Sequence, residues 1–494
     1  MKSQVRFLES GGRTALAARG LFWLLAQVAG GRATSFVSQI ILARLLSPQD
    51  FGTIGLTYTV TTIIGSLTDS GIENVLLQRS RTFQLWAWPG FWINMALALI
   101  GAALVLVLAP FFASLYGAPE IEGLAAVAAL AMPFSALSMI PMTATRAGLN
   151  FRLLAMVGTA ELIATQLLTI VLAWYGMGPY SFVIPFPLMA AVKAAWLWAI
   201  VRPRMRPARP RRAWWYLIRS SLRIWVFRLL VALVSQGDYF VLGLLAPRQE
   251  VGFYFFAFRL AFQPPEALAA NLQAVMFPVL AQLRSRPEEQ YHKALKSSEY
   301  LAAVVFFVGY LQAALASPLL HLIFHDRWNG SIVLLQVLSL AAPFDSVPWI
   351  AGALLEARGE FRTRLIRLLV ASPWFFILVA LGAWLDNAFG VAIGVGVYYA
   401  IFGPWYSYLA MRSDDIGLSS IIRIYIWPIL LSGSAVSAAW ALTHLLNLSN
   451  VAAIQILFIS VTATGLYASL LRASLPGTFF AVKNHVTSIF LKSN

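Results

Sequence analysis

LARLLSPQDFGTIGL (Leu42–Leu56) and LGLLAPRQEVGFYFF (Leu242–Phe256) are two versions of one pattern, 200 positions apart. Each runs from an apolar segment through a short proline-containing turn into a second apolar segment, which predicts a helical hairpin. A second pair of similar stretches occurs later in the chain, TRAGLNFRLL from Thr145 and EARGEFRTRL from Glu356. Because the two pairs occur in the same order, the sequence predicts an internal duplication.

The composition places these hairpins in a membrane. Of 494 residues, 60% are hydrophobic and only 11% are charged, and the mean hydropathy is +0.74. Apolar runs of about 20 residues, enough for a helix to cross about 30 Å of hydrocarbon, recur along the whole chain. The predicted fold is therefore all-α, a polytopic membrane protein with about fourteen transmembrane helices. No interval is long and polar enough to form a soluble domain.

Loop charge predicts the orientation. Basic stretches such as RPRMRPARPRR fall on one side of the predicted membrane, and stretches with few basic residues, such as SPQDFG and LDNAFG, fall on the other. The positive-inside rule places both termini and the basic loops on the cytoplasmic side of a bacterial inner membrane. The formal net charge of +16 then faces an anionic leaflet, and no basic domain for nucleic acid is present.

The duplication predicts the organisation of the chain. Two halves of six helices in the same orientation imply a pseudo-two-fold axis along the membrane normal and a central cavity, as in transporters. The predicted segments, in chain order, are a cytoplasmic tail, an N-terminal lobe, a basic linker, a C-terminal lobe, two additional helices and a second tail, at residues 1–20, 21–201, 202–219, 220–410, 411–475 and 476–494.

Polar residues at membrane depth are the candidate site, because each needs a protein partner or water. Arg32 lies near the middle of the first apolar run, where two interpretations stay open: a structural ion pair, or a side chain that lines a wet cavity. The basic side chains of this set favour an anionic ligand. The substrate-binding candidates are Arg32, Gln39, Lys193, Arg228 and Arg259. The candidates for ion coupling are Glu161, Asp238, Glu266 and Asp345.

Signals for other chemistry are absent from the sequence. There is no G-x-x-x-x-G-K-[ST] loop for ATP, no H-E-x-x-H and no G-x-S-x-G, and the five histidines are scattered. We therefore expect no catalytic residues, no metal and no cofactor. Proline-containing stretches, FVIPFPLMA, AFQPPEALAA and AAPFDSVPW, predict interrupted helical hydrogen bonding inside the membrane, which suits alternating access.

SQIILARLLSPQDFGTIGL, SLTDSGIENVLLQRS and SQGDYFVLGLLAPRQEVGFYFFAFRL together resemble the polysaccharide transporter family of the multidrug/oligosaccharidyl-lipid/polysaccharide flippase superfamily. The resemblance covers most of residues 20–290, and LEARGEF extends it into the last third of the chain. It implies two six-helix lobes around a cationic cavity. The residues that fall on the recurring motifs of the family are Asp69, Arg79, Arg146, Asp238, Tyr254 and Arg259.

The resemblance also implies a function, namely movement of an undecaprenyl-diphosphate-linked oligosaccharide from the inner to the outer leaflet for surface polysaccharide synthesis. The expected partners are this lipid-linked oligosaccharide and the bilayer, with a polysaccharide polymerase and chain-length proteins as candidates. The coupling ion stays open, and the sugar gradient alone is an alternative. Two other functions stay open: a drug or cation antiporter of the same superfamily, and a membrane-embedded enzyme or accessory subunit of polysaccharide assembly.

Overall fold

A computed structural model describes residues 30–31, 34–35, 37–68, 71–79, 82–148, 150–203, 205, 211–413, 417–446 and 451–480. Helices account for nearly all of these residues, and none of them lies in a strand. The predicted all-α class is therefore confirmed. Helices are suited to hydrocarbon because each one satisfies its own backbone hydrogen bonds.

The chain divides into two compact units, the first ending at Leu244 and the second beginning at Leu245. In the first unit, residues 37–45 are helical. They are followed by α1 (Pro48–Thr68), α2 (Ile72–Gln78), α3 (Phe83–Leu115), α4 (Glu120–Ala129), α5 (Ala131–Ala147), α6 (Phe151–Trp174), α7 (Tyr180–Val183), α8 (Pro185–Val201) and α9 (Arg211–Leu245), whose last residue begins the second unit.

The second unit repeats the order of helices from α1 to α8 and adds two more. It contains α10 (Arg248–Gln282), α11 (Pro287–Phe324), a 3₁₀ turn (His325–Trp328), α12 (Gly330–Ser346), α13 (Pro348–Arg358), α14 (Phe361–Met411), α15 (Leu418–Leu445) and α16 (Ala452–Ser474). Helix α14 is a hairpin, because the backbone leaves the helical region at Asp386 and Asn387. Its two arms correspond in order to α6 and to α7 with α8.

Ten helical segments among the described residues are long and apolar enough to cross a membrane: Phe83–Leu115, Glu120–Ala147, Phe151–Trp174, Tyr180–Val201, Trp225–Leu245, Pro287–Trp328, Gly330–Arg358, Phe361–Met411, Leu418–Leu445 and Ala452–Ser474. One of these segments, α14, turns back on itself. Helices α1 and α10, of 21 and 35 residues, fall outside the ten. The total of fourteen spans stays a prediction.

The two quoted stretches have the same local structure. In each copy a helix ends near position 45 or 245 and the next begins at Pro48 or Arg248. In the first copy, Ser47 and Asp50 form a capping box: the Ser47 hydroxyl donates to Asp50 Oδ2 (2.7 Å), and the Asp50 N–H donates to Ser47 Oγ (3.2 Å). In the second copy, Pro247 occupies the N-cap position and pre-sets the backbone angle instead.

An acidic residue follows each turn and reaches a hairpin turn later in its own unit. Asp50 Oδ1 lies beside Gly178, which is in the turn before α7. The distance from this oxygen to the position that a Cβ on Gly178 would occupy is 3.6 Å. Glu250 Oε2 accepts a hydrogen bond from the Ala388 N–H (3.4 Å), immediately after the turn of α14. Gly178 and Ala388 hold equivalent places in the two units, so this shared contact supports the predicted duplication.

Prolines inside the helices leave backbone carbonyls that other helices satisfy. Pro141 has no N–H to offer the Leu137 carbonyl four residues earlier, and the Trp198 indole N–H donates to that carbonyl at 2.9 Å. In α10, Pro264 leaves the Leu260 carbonyl without its helical donor, and Gln312 Nε2 donates there at 2.6 Å. Of the three predicted interruptions, AFQPPEALAA is therefore present as a lost backbone bond that a side-chain donor replaces.

Two of the three predicted proline interruptions also divide a helix. FVIPFPLMA contains the boundary between α7 and α8 at Ile184, and AAPFDSVPW contains the boundary between α12 and α13 at Val347. AFQPPEALAA differs, because α10 continues through Pro264 and Pro265 as one helix. The replacement bond from Gln312 to the Leu260 carbonyl is the physical reason that this helix can remain continuous.

The α14 hairpin depends on glycine. A Cβ on Gly382 would lie 2.2 Å from the Gly390 carbonyl oxygen, and one on Gly394 would lie 2.5 Å from the Leu378 carbonyl oxygen. The two arms therefore meet backbone to backbone, an approach that residues without a Cβ allow in membrane helices. This contact fixes the end of the hairpin near Asp386 and Asn387.

Candidate functional site

The predicted site residues lie on six helical segments, and the structure describes eight of the nine. Arg32 lies outside the described residues, as does the family-motif residue Asp69. In the first unit the described candidates are Gln39, Glu161, Lys193, Arg228 and Asp238. In the second unit they are Arg259, Glu266 and Asp345.

Lys193 and Glu161 form an ion pair across α8 and α6. Lys193 Nζ lies 3.0 Å from Glu161 Oε2 and 3.1 Å from its Oε1, and the two side chains are 19% and 29% exposed. From the sequence, Lys193 is a candidate for substrate binding and Glu161 a candidate for ion coupling. The structure brings these two candidates together as one ion pair, so a ligand of Lys193 would have to compete with Glu161.

Gln39 lies in the helical segment before α1 and is only 4% exposed. Its Oε1 atom is buried, and no hydrogen-bond donor among the described residues reaches it. A buried amide oxygen left without a donor is costly, by about 1–3 kcal/mol. The group is thus suited to accept a hydrogen bond from a polar ligand such as a sugar hydroxyl.

Helix α9 carries Arg228 and Asp238, ten residues and hence about 15 Å apart along the helix. The Arg228 side chain is half-buried. Asp238 is 2% exposed, and its Oδ1 accepts the N–H of the next residue, Tyr239, at 2.9 Å. This local bond occupies one carboxylate oxygen with backbone. The α9 helix is also tied to α1 within the first unit, since the Thr59 hydroxyl lies 3.4 Å from Gln236 Oε1.

Arg259 lies in the first third of α10. It is eleven residues, about 16 Å, from the start of that helix. Its guanidinium stands over the Phe255 ring, 4.9 Å from the ring centroid, and the side chain is half-buried. The contact with the aromatic face orients the guanidinium plane, and the planar geometry of arginine is suited to phosphate.

Glu266 and Asp345 come together in the second unit. Asp345, on α12, accepts a hydrogen bond from the Trp349 side chain and lies near enough to Glu266, on α10, for their charges to repel each other. Asp345 also interacts electrostatically with Tyr398 and Tyr425. A cation or a shared proton would remove the repulsion between the two carboxyl groups.

The partners of the family-motif arginines in the first unit were not predictable from the sequence. Arg79 donates to the Tyr216 hydroxyl (2.8 Å) and stands over the Trp86 and Tyr216 rings at 4.9 and 4.6 Å. Arg146 pairs with Glu73. The contacts of Arg79 with Tyr216 and of Arg146 with Glu73 join residues 137 and 73 positions apart, so no local signal in the sequence identifies them. Both arginines hold helix ends together.

The second unit has a corresponding cluster of arginines with aromatic and acidic partners. Arg358 donates to the Tyr291 hydroxyl and stands over its ring at 4.5 Å, and Arg364 pairs with Glu356. The EARGEFRTRL stretch thus supplies both arginines and one of their acidic partners. The only signal in the sequence for these contacts is the similarity of this stretch to TRAGLNFRLL.

Comparison with known proteins places this arrangement in context. A family model described as "Polysaccharide biosynthesis protein" matches residues 41–333. The succinoglycan biosynthesis transport protein ExoT of Rhizobium meliloti (strain 1021) is 23% identical over 402 residues, 80% of each chain. The lipopolysaccharide biosynthesis protein WzxC of Escherichia coli (strain K12) is 22% identical over 392 residues, 78% of each chain.

Among solved structures, the lipid II flippase MurJ in an inward closed conformation has a similar fold. Its TM-score is 0.72 at 12% identity, and the match covers 91% of this chain and 99% of that one. At this identity the similarity shows the fold alone. The helix order described above is therefore shared with that structure.

Proposed function

The chain belongs to the polysaccharide biosynthesis protein family, and from this premise we propose that it moves undecaprenyl-diphosphate-linked oligosaccharide units across the bacterial inner membrane. Two relatives support the proposal, a transport protein of succinoglycan biosynthesis and a protein of lipopolysaccharide biosynthesis. The fold shared with a lipid II flippase agrees with a lipid-linked substrate. The translocated units then enter exopolysaccharide, O-antigen or capsule synthesis.

Arg259 is the observation that carries the proposal. A diphosphate cannot cross hydrocarbon unaided, because burying its charge in a low dielectric is very costly. An arginine stays protonated even when it is partly buried and can form paired hydrogen bonds with a phosphate. Arg259 is half-buried, and its position over Phe255 orients the guanidinium. Arg32, Arg228, Lys193 and Gln39 are proposed to contact the rest of the polar headgroup as the protein alternates its access between the two sides.

Glu266 and Asp345 are proposed to couple this movement to a cation. Their mutual repulsion and their burial favour a bound proton or sodium ion in one state of the cycle. Glu161 and Asp238 are further candidates. Release of the cation would then accompany a change of conformation.

The test is a reconstituted flipping assay. Purified protein is placed in liposomes with a fluorescent polyprenyl-diphosphate oligosaccharide, and an impermeant reductant quenches the probe in the outer leaflet. With the protein present we expect nearly all of the probe to become accessible, and without it about half. Arg259→Gln should abolish the added accessibility, and Arg259→Lys should retain part of it because it keeps the charge without the planar fork.

Arg286→Gln is the matched control, since the Arg286 side chain is 75% exposed and its ion pair among the described residues is with nearby Glu289 at 3.4 Å. It should flip the probe like the wild-type protein. Equal movement of an uncharged polyprenyl lipid, or full activity of a stable Arg259→Gln variant, would overturn the assignment. Turnover of the glycolipid in detergent, with no sealed bilayer, would instead favour an enzyme of polysaccharide assembly.

A further inference from the structure

At the open end of the α14 hairpin lies an arginine that has both a bonded and an unbonded hydrogen-bond donor in its guanidinium group. Arg367, on the first arm, donates through Nη2 to the Leu409 carbonyl on the second arm at 2.8 Å. Its Nη1 atom is buried, and no acceptor among the described residues lies within hydrogen-bond distance. A buried guanidinium donor without an acceptor is costly, and so it is a strong sign of a missing anionic partner.

A second unpaired polar group lies at the same end of the hairpin. Ser413 follows Leu409 by four residues, and its hydroxyl oxygen is buried with no partner in the described part of the chain. Arg412, between them, is exposed and extended, and its charge repels that of Arg367. Two positive charges and one hydroxyl therefore lie at this end of the hairpin.

The neighbouring acids do not neutralise this group. Glu356 pairs with Arg364, and Glu360 lies 3.7 Å from Arg358 while attracting Arg367 only at longer range. Within the residues that the structure describes, the positive charge of Arg367 and Arg412 is thus in excess. Asp414 and Asp415 follow in the sequence, outside the described residues.

The surface beside Arg367 is apolar. Ile366 and Val370, on the same arm, are 48% and 51% exposed, and Phe361 at the start of the arm is 64% exposed. Such a surface next to a buried cation matches a membrane lipid, which presents a phosphate above its acyl chains. A free phosphate ion would gain nothing from these apolar side chains.

We propose that Arg367, Arg412 and Ser413 form a binding site for the phosphate of an anionic phospholipid at the rim of the second unit. The phosphate oxygens accept from Arg367 Nη1 and from the Ser413 hydroxyl, and Arg412 adds its charge. The acyl chains lie along Phe361, Ile366 and Val370. The site is separate from the residues assigned to the transported substrate and does not depend on the proposed function.

The experiment measures lipid binding to the purified full-length protein by native mass spectrometry. Phosphatidylglycerol should bind at least about tenfold more tightly than phosphatidylcholine, and Arg412→Gln should lower that preference about fivefold, since one basic side chain beside an anionic headgroup contributes about that factor. Ser413→Ala should weaken binding a few-fold. Both variants leave the bond from Arg367 to Leu409 in place, so folding is preserved. Arg286→Gln should bind as the wild-type protein does.

Three outcomes would overturn the proposal. Equal binding of the two lipids would show that no phosphate-specific site exists. Displacement of phosphatidylglycerol by millimolar inorganic phosphate would assign the site to a free anion. Binding that appears only in the Asp414→Asn, Asp415→Asn double variant would show that these carboxylates occupy the arginines in the natural protein.

Discussion

At the scale of single residues, Lys193 shows that the role of a charged side chain in an apolar helix depends on the partner it contacts. The sequence predicts that Lys193 and Glu161 are charged groups at membrane depth, where burying a charge is costly. It predicts this from the two apolar runs separately. It could not show that they meet, because the rotation of α8 against α6 depends on packing along both helices. The 3.0 Å contact between them is information that only the fold supplies.

We expect Lys193→Met to lower the stability of the protein, because it strands the Glu161 carboxylate between apolar helices. The loss should be about 1–3 kcal/mol, less than for a fully buried pair, since both side chains are partly exposed. The double variant Lys193→Met, Glu161→Gln should recover most of this loss. Thermal unfolding of the detergent-solubilised proteins gives the comparison.

Transport assays then separate the two functions of this pair. If Lys193 contacts the substrate as proposed, the double variant is stable but exports little polysaccharide. Normal export by the stable double variant would make the pair structural only. Arg286→Gln, which breaks an exposed pair, should change neither stability nor export.

At the scale of helices, the contact between Gln312 and the Leu260 carbonyl replaces the bond that Pro264 removes. Replacing Pro264 with alanine would restore the backbone donor, so the side-chain donor would become redundant. We expect Gln312→Leu to destabilise the natural protein and to be nearly neutral in a Pro264→Ala background, a coupling of about 1 kcal/mol. Thermal unfolding of the four proteins measures it.

Pro278→Ala is the control for this cycle, because Pro278 lies in the same helix but leaves the Ala274 carbonyl, not that of Leu260, without a donor. Its effect should add to that of Gln312→Leu without coupling. Equal coupling in both cycles would mean that the proline changes act through the whole helix and not through one carbonyl.

The α14 hairpin gives a second prediction at this scale. Gly382→Ala would place a Cβ 2.2 Å from the Gly390 carbonyl oxygen, so the arms must separate, at a cost of about 1–3 kcal/mol. Gly465→Ala, in α16, meets nothing within 4 Å and should leave stability unchanged or raise it. The unfolding temperatures of the two variants test the difference, and equal values would contradict the backbone contact.

At the scale of the whole molecule, the duplication and the helical class could be predicted from the sequence, because both depend on patterns repeated along the chain. The turns within Leu42–Leu56 and Leu242–Phe256 have the predicted form. The site could be predicted only as a set of residues. Glu266 with Asp345, or Arg79 with Tyr216, depends on which helix faces meet, and a single sequence carries no record of those faces.

The orientation in the membrane is still a prediction, and single cysteines can test it because the natural chain has none. Gln49 is exposed beside the first hairpin turn, on the predicted outer side, and Arg286 is exposed on the predicted cytoplasmic side. We expect an impermeant thiol reagent to label Gln49→Cys in intact cells and Arg286→Cys only after lysis. The reverse pattern would invert the topology.

The turn of α14 has a consequence for how the chain is made. Its arms are joined by two non-helical residues, Asp386 and Asn387, and the tip exposes Trp384 and Leu385. During synthesis, the polar segment between the two arms is therefore only these two residues long. Because Gly382 already touches Gly390 across the turn, both arms can leave the translocon as one paired insertion unit, and the second half of the protein gains two membrane crossings in a single event.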